Sequence, residues 1–181
     1  MEKEFVIGVT GASGIIYARR LLEVLCDQAR VHIVISDVAR QIAGIEGVDL
    51  SGFDAVYAEN SNLAADIASG SFRYDAMAIV PCSMKTLSAV SRGFADNLIA
   101  RSADVCLKER RPLLLLVREM PLSRIHLKNM LAADEAGATV MVASPPFYQR
   151  PETIDDLVDM VVARVLDHLG VAHTLGTRWS G

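Results

Sequence analysis

The sequence predicts an α/β fold: a three-layer, doubly wound parallel sheet with helices on both faces. Three observations carry that prediction. Apolar runs of strand length alternate with stretches of helix length along the chain. The strongest runs are continuously apolar, as strands covered on both faces are. The first run closes in the small residues Thr10-Gly11-Ala12-Ser13-Gly14, and a helix pattern starts at once.

Taken in order, Phe5-Val6-Ile7-Gly8-Val9 reads as the first buried strand and Ile15 to Leu25 as the first helix. Val31 to Ser36 is rich in β-branched residues and reads as a second strand. Ser36-Asp37 is an N-cap for a helix from Val38 to Ile45, and Glu46-Gly47 breaks it. A short strand is expected at Ala55-Val56-Tyr57, and Leu63 to Ala68 could form one helical piece. Asp75 to Val80 is a buried strand that ends in Pro81-Cys82-Ser83-Met84-Lys85-Thr86, where a helix begins. Asn97 to Glu109 is a longer helix, with apolar Leu98, Ile99, Val105 and Leu107. Pro112 to Val117 is the most hydrophobic strand. Ser123 to Glu135 is helical until Gly137, and Thr139 to Ala143 is the next strand. Thr153 caps a last helix, Ile154 to Leu169, which Gly170 stops. A tail from about 171 to 181 carries Arg178 and Trp179.

The chain of 181 residues has the size of one domain, with no linker, repeat or low-complexity run. Its 51% hydrophobic content builds a sizeable core, and the 6% aromatic content makes that core aliphatic. A net charge of −4 gives no reason to expect nucleic acid as a partner. No apolar run approaches a membrane span, and the charged start Met1-Glu2-Lys3-Glu4 is unlike a signal peptide. Cys26, Cys82 and Cys106 are an odd set without paired spacing. They suit a reducing cytoplasm and argue against disulfides or a zinc site. The positive mean hydropathy points to apolar surface buried between subunits, hence a homo-oligomer.

The first strand, its glycine turn and the helix start make a candidate phosphate cradle. First-turn N–H groups lack intrahelical partners, and the helix dipole favours an anion there. Gly8-Val9-Thr10-Gly11 puts two residues between the first glycines, which departs from the dinucleotide fingerprint and favours a mononucleotide. In parallel sheets ligands sit beyond the strand C-termini. That rule selects Thr10–Gly14, Ser36, Pro81–Thr86, Arg118-Glu119 and Ser144–Tyr148. Ser83 to Thr86 forms a second anion cradle at a helix start, with two hydroxyls and the Lys85 ammonium. Arg118-Glu119 follows the most buried strand, where a charge must be paired or functional. Arg101 and Lys108, seven apart on one helix, are by themselves ordinary surface ion-pair formers. Glu46 by itself reads as a surface carboxylate, Cys82 as a small buried residue, and His168 and His173 as exposed.

Together these segments resemble the UbiX/Pad family of flavin prenyltransferases over nearly the whole chain. The resemblance rests on Thr10–Gly14, Pro81–Leu87, Asp96–Ile99, Lys108–Leu113, Arg118–Pro121, His126–Met130, Pro146–Tyr148 and Asp156–Asp159. It implies a flavodoxin-like (Rossmann-like) subunit that binds FMN at a subunit interface of a dodecamer. It implies transfer of a dimethylallyl group from dimethylallyl phosphate to reduced FMN, with bonds to the central-ring nitrogen and the neighbouring benzenoid carbon. The prenylated flavin would serve a partner decarboxylase of the UbiD type. Gly11, Ala12, Ser13, Ser36, Ser83, Met84, Lys85, Thr86 and Arg118 would hold FMN. Tyr148 and Arg164, joined by Arg101 and Lys108, would bind dimethylallyl phosphate. Ser13, Glu46, Glu119 and Trp179 would serve the chemistry, with no metal. The segment between Asp49 and Ser69 matches no family motif. Two rival readings are a non-catalytic FMN-holding subunit of a decarboxylase and a flavin-dependent cysteine decarboxylase. The latter carries a catalytic His in the first helix, where Ile15 to Arg20 has none.

Overall fold

The computed structural model describes residues 3–176. Its strands are β1 (Glu4–Val9), β2 (Arg30–Ile35), β3 (Val56–Glu59), β4 (Ala76–Cys82), β5 (Leu113–Val117) and β6 (Thr139–Val142). Its helices are α1 (Ile15–Leu25), α2 (Asp37–Glu46), α3 (Met84–Arg92), α4 (Leu98–Lys108), α5 (Arg124–Glu135) and α6 (Ile154–Leu169). The strands form one six-stranded parallel sheet in the order β3-β2-β1-β4-β5-β6. This is a doubly wound order, and it reverses between β1 and β4, which opens a crevice beyond those two strand ends.

Alternation along the strands builds the layers. Phe5, Ile7 and Val9 of β1 join Ile33, Ala78 and Leu114 beneath α1, α2 and α6. Val6, Met77, Ile79 and Leu115 face the other way, against Leu98, Ile99 and Ala103 of α4. A Cβ on Gly8 would lie 3.0 Å from Ile99 Cγ2, so α4 rests directly on β1 and its first turn reaches the crevice.

Five helices carry side-chain N-caps: Ser36, Ser83, Asn97, Ser123 and Thr153 each accept an N–H three residues on. Each such cap contributes about 1 kcal/mol. Helix α1 differs: its N-cap is Gly14, at φ 102, with no cap from its own side chain.

Three boundaries depart from the sequence reading. The helical piece expected at Leu63–Ala68 is only a 3-10 turn, Asp66–Ala68. The Asn62 side chain accepts the Ala64 N–H, which closes a local turn in place of a helix start. Strand β3 runs to Glu59, two residues past the expected end. Strand β4 continues through Pro81 and Cys82 because the ladder to β5 shifts register between Ile79 and Cys82, where a residue without an N–H fits. Trp179, with Arg178, lies outside the described residues.

Candidate active site

The crevice is fastened by one buried hydroxyl. Thr10 Oγ1 donates to the Pro81 carbonyl at 2.8 Å and accepts the Ser83 N–H at 2.8 Å. The Thr10 N–H adds a 3.2 Å bond to the same carbonyl. The end of β1 is thereby tied to the start of α3.

A cavity of about 450 Å³ lies against this tie. Five strand ends contribute to it: Thr10 and Gly11 after β1, Ser36 after β2, Asn60 after β3, Ser83 to Thr86 after β4, and Glu119 after β5. A Cβ on Gly11 would lie 2.5 Å from Val38 Cγ1 and 2.8 Å from Val38 Cβ, so only glycine lets α2 stand this close. Asn60 escaped the sequence reading. It caps α4 from a distance: its side chain accepts the Ile99 N–H at 3.1 Å and its carbonyl accepts the Leu98 N–H at 2.8 Å. Its position just after β3 was the available signal.

The electropositive end of the cavity is the start of α3. Ser83 Oγ accepts the Thr86 N–H at 3.3 Å and donates to Thr86 Oγ1 at 3.1 Å. The N–H groups of Met84 and Lys85 have no acceptor among the described residues. They suit an anion at this helix terminus. The start of α1 does not offer the same cradle, which corrects the expectation for the first loop. Glu46 Oε1 accepts the Gly14 N–H at 2.9 Å and Glu46 Oε2 accepts the Ile15 N–H at 2.9 Å. A carboxylate already takes the place of an anion at that helix start and meets its dipole. Glu46 is therefore a half-buried cap for α1 rather than a surface charge.

Arg118 sits beside the loop and donates from Nε to the Ser13 carbonyl at 3.1 Å. Glu119 lines the cavity, with Oε1 accepting the Met120 N–H at 2.9 Å. Beneath the loop, Tyr17 packs under Gly14, where a Cβ would meet its ring at 3.0 Å. Burial raises the Tyr17 pKa, and the nearby Arg118 charge opposes that rise.

Arg101 and Lys108 stand apart from this cavity within the chain. Arg101 donates from Nε to the Ala68 carbonyl at 3.2 Å and pairs with Asp104 at 2.8 Å. Lys108 pairs with Glu109 at the far end of α4, roughly 15 Å of helix rise from its start. Tyr148 and Arg164 line a second cavity of about 360 Å³, between the chain after β6 and α6. Arg164 Nη1 pairs with Asp167 Oδ2 at 2.7 Å. His173 shares that cavity and is not exposed: only 3% of its side-chain surface is accessible. The chain turns back after Gly170 and lays the imidazole over α6, a return that polarity alone does not reveal. His168 is exposed as expected. Ser13 is exposed on the loop, and Ala12 is buried beneath it.

A family model described as Flavoprotein matches residues 1–166. The flavin prenyltransferase UbiX of Methanocaldococcus jannaschii is 46% identical over 180 residues, which covers 97% of this chain and 98% of the relative. The crystal structure of AnUbiX in complex with FMN and dimethylallyl pyrophosphate superposes with a TM-score of 0.96 at 40% identity, covering 100% of this chain and 99% of that one. The dodecameric FMN-dependent UbiX-like decarboxylase from Escherichia coli O157:H7 superposes with a TM-score of 0.93 at 44% identity, covering 98% and 100%.

Proposed function

This chain belongs to the Flavoprotein family, among the UbiX flavin prenyltransferases, and on that footing we propose how its own residues carry out the reaction. The protein binds FMN and transfers a dimethylallyl group from dimethylallyl phosphate to the reduced flavin. The prenylated product serves a UbiD-type decarboxylase. Reduced FMN supplies the nucleophilic ring positions to which the dimethylallyl group bonds. The observation that carries the site assignment is the convergence of five strand ends on the open N–H groups of α3.

The Met84 and Lys85 N–H groups, with the Ser83 and Thr86 hydroxyls and the Lys85 ammonium, would hold the FMN phosphate. Gly11, Ala12, Ser13 and Ser36 form the wall along the flavin. Arg118 holds that wall in place through the Ser13 carbonyl. Glu119, on the cavity rim, and the Ser13 hydroxyl move protons at the flavin. Glu46 acts through the loop by capping α1, so it is a positioning residue.

Tyr148 and Arg164 bind the donor phosphate. Arg101 and Lys108 join them from a neighbouring subunit, since within their own chain they line neither cavity and are engaged by Ala68, Asp104 and Glu109. The protein assembles as a homododecamer. Its exposed Met120, Ile125, Leu127 and Leu131 supply apolar surface for subunit contacts. Loss of the allylic ester leaves a dianionic phosphate, which these cations stabilise. Trp179, which lies outside the described residues, is the aromatic side chain that the resemblance assigns to stabilising the allylic cation. A closed interface keeps out water, which would otherwise quench that cation.

No helix among the described residues is long and apolar enough to cross a membrane. The free thiols of Cys26, Cys82 and Cys106 support a cytoplasmic, reducing location. The chain acts as one FMN-binding domain with a C-terminal tail. The test is phosphate release under anaerobic conditions. Inorganic phosphate should appear only when enzyme, reduced FMN and dimethylallyl phosphate are all present. Release at the same rate without flavin would contradict the proposal.

A further inference from the structure

We propose that His173 is a positioning residue for donor binding: through Asp167 it fixes the Arg164 guanidinium at the donor phosphate. The inference rests on the reading of Tyr148 and Arg164 as the donor site. It deepens that reading with a residue outside the resemblance.

The geometry is a three-member chain. His173 Nε2 lies 3.2 Å from Asp167 Oδ1, and Arg164 Nη1 lies 2.7 Å from Asp167 Oδ2. The Leu175 N–H donates to His173 Nδ1 at 3.2 Å. That bond needs a lone pair on Nδ1, so the neutral ring carries its proton on Nε2 and donates it to Asp167. The tautomer is thus set by the backbone of the returning tail. Tail and helix are fixed to each other as well: the Val171 N–H bonds the Leu166 carbonyl at 3.0 Å, and Leu175 packs on the core beneath α6.

The consequence concerns charge. A carboxylate beside a phosphate site repels the ligand unless its oxygens are engaged elsewhere. Asp167 has one oxygen on the His173 N–H and the other on Arg164. The guanidinium fork has five N–H groups and spends one of them on this pair. Arg164 is 62% exposed in its side chain and lines the 360 Å³ cavity with Tyr148, so the rest of the fork is available to an anion there. His168, one turn along α6, bonds elsewhere: its Nδ1 lies 2.9 Å from the Arg164 carbonyl rather than at the guanidinium. Without the His173 N–H, the Asp167 carboxylate loses one of the bonds that orient it, and the Arg164 guanidinium paired with it is set less firmly at the cavity.

Steady-state kinetics with reduced FMN and varied dimethylallyl phosphate tests this on the full-length protein. His173→Ala and His173→Asn should raise the donor KM about tenfold, with kcat within about twofold and FMN affinity unchanged. His173→Gln keeps an amide donor near the Nε2 position and should restore the wild-type KM. His173→Asn keeps only an acceptor near Nδ1 and should not. Arg164→Ala is the separating control. If it leaves the donor KM unchanged, the donor-site reading itself fails. If it raises KM while His173→Ala does not, only the positioning role is overturned. Equal losses of stability, FMN binding and kcat in the Ala, Asn and Gln variants would mark His173 as a tail anchor and likewise overturn it.

Discussion

Replacing Glu46 by Gln separates a helix cap from a proton carrier. The carboxylate spans two N–H groups, at 2.9 Å each, one from Gly14 and one from Ile15. Gln has the same shape but only one acceptor oxygen, so its NH2 must face the second N–H. One bond to a charged acceptor is lost and a donor is orphaned, at about 1.5–3 kcal/mol. Loss of the negative charge at the helix start adds about 0.3–1 kcal/mol. Because Glu46 is only half-buried, about 2–3 kcal/mol is the expected total. For a chain of this size that lowers Tm by roughly 4–12 °C. Thermal melting of Glu46→Gln, read by far-ultraviolet circular dichroism, measures it, and Glu46→Asp, too short to span both donors, should behave alike. A Glu46→Gln protein that melts within about 1 °C of wild type yet has lost turnover would refute the cap and assign Glu46 to proton transfer.

Other perturbations address the cavity and the helices around it. Gly11→Ala drives a methyl into Val38, whose Cβ would be only 2.8 Å away. It should cost about 1–3 kcal/mol and weaken FMN binding, as measured by flavin fluorescence titration. Adding Val38→Gly should recover FMN affinity, whereas adding Val38→Ala, which keeps the Cβ, should recover less. The Asp156 carboxyl is held below its ordinary 3.8 by the Glu152 and Thr153 N–H groups and the Thr153 hydroxyl. A lowered folded pKa means that the unfolded chain binds more protons near this range, so the contribution is full above it and lost in acid. Asp156→Ala should therefore lower Tm at neutral pH, with the gap to wild type closing as pH falls below about 4. Burial pushes the Cys26 and Cys106 thiols up to about 11, and burial also raises Cys82. A thiol-disulfide reagent at pH about 8 should label Cys82 and Cys106 of the native protein slowly, and rapid labelling of those two would contradict their buried placement.

Much of the fold is legible in the sequence because the information is local. The apolar period gives β1 and α1, and the polar caps Ser36, Ser83 and Thr153 mark helix starts. The cavity is legible through one topological rule, that parallel strands end at the ligand. What escapes is contact between residues distant in the chain. Glu46 meets Gly14 only because α2 ends beside the start of α1, 32 residues away. Asn60 enters the site because β3 lies at the sheet edge next to β2 and its end reaches α4. His173 looks like any exposed polar tail residue until the chain folds back over α6. The resemblance assigns Arg101 and Lys108 to the donor phosphate, yet in the single chain they are engaged by Ala68, Asp104 and Glu109.

The most direct test weighs the flavin. The protein is incubated anaerobically with reduced FMN and dimethylallyl phosphate, and the released flavin is measured by mass spectrometry. A flavin heavier by one dimethylallyl group less a hydrogen is the predicted product. Recovery of FMN at its original mass, with the donor ester intact, would contradict the account.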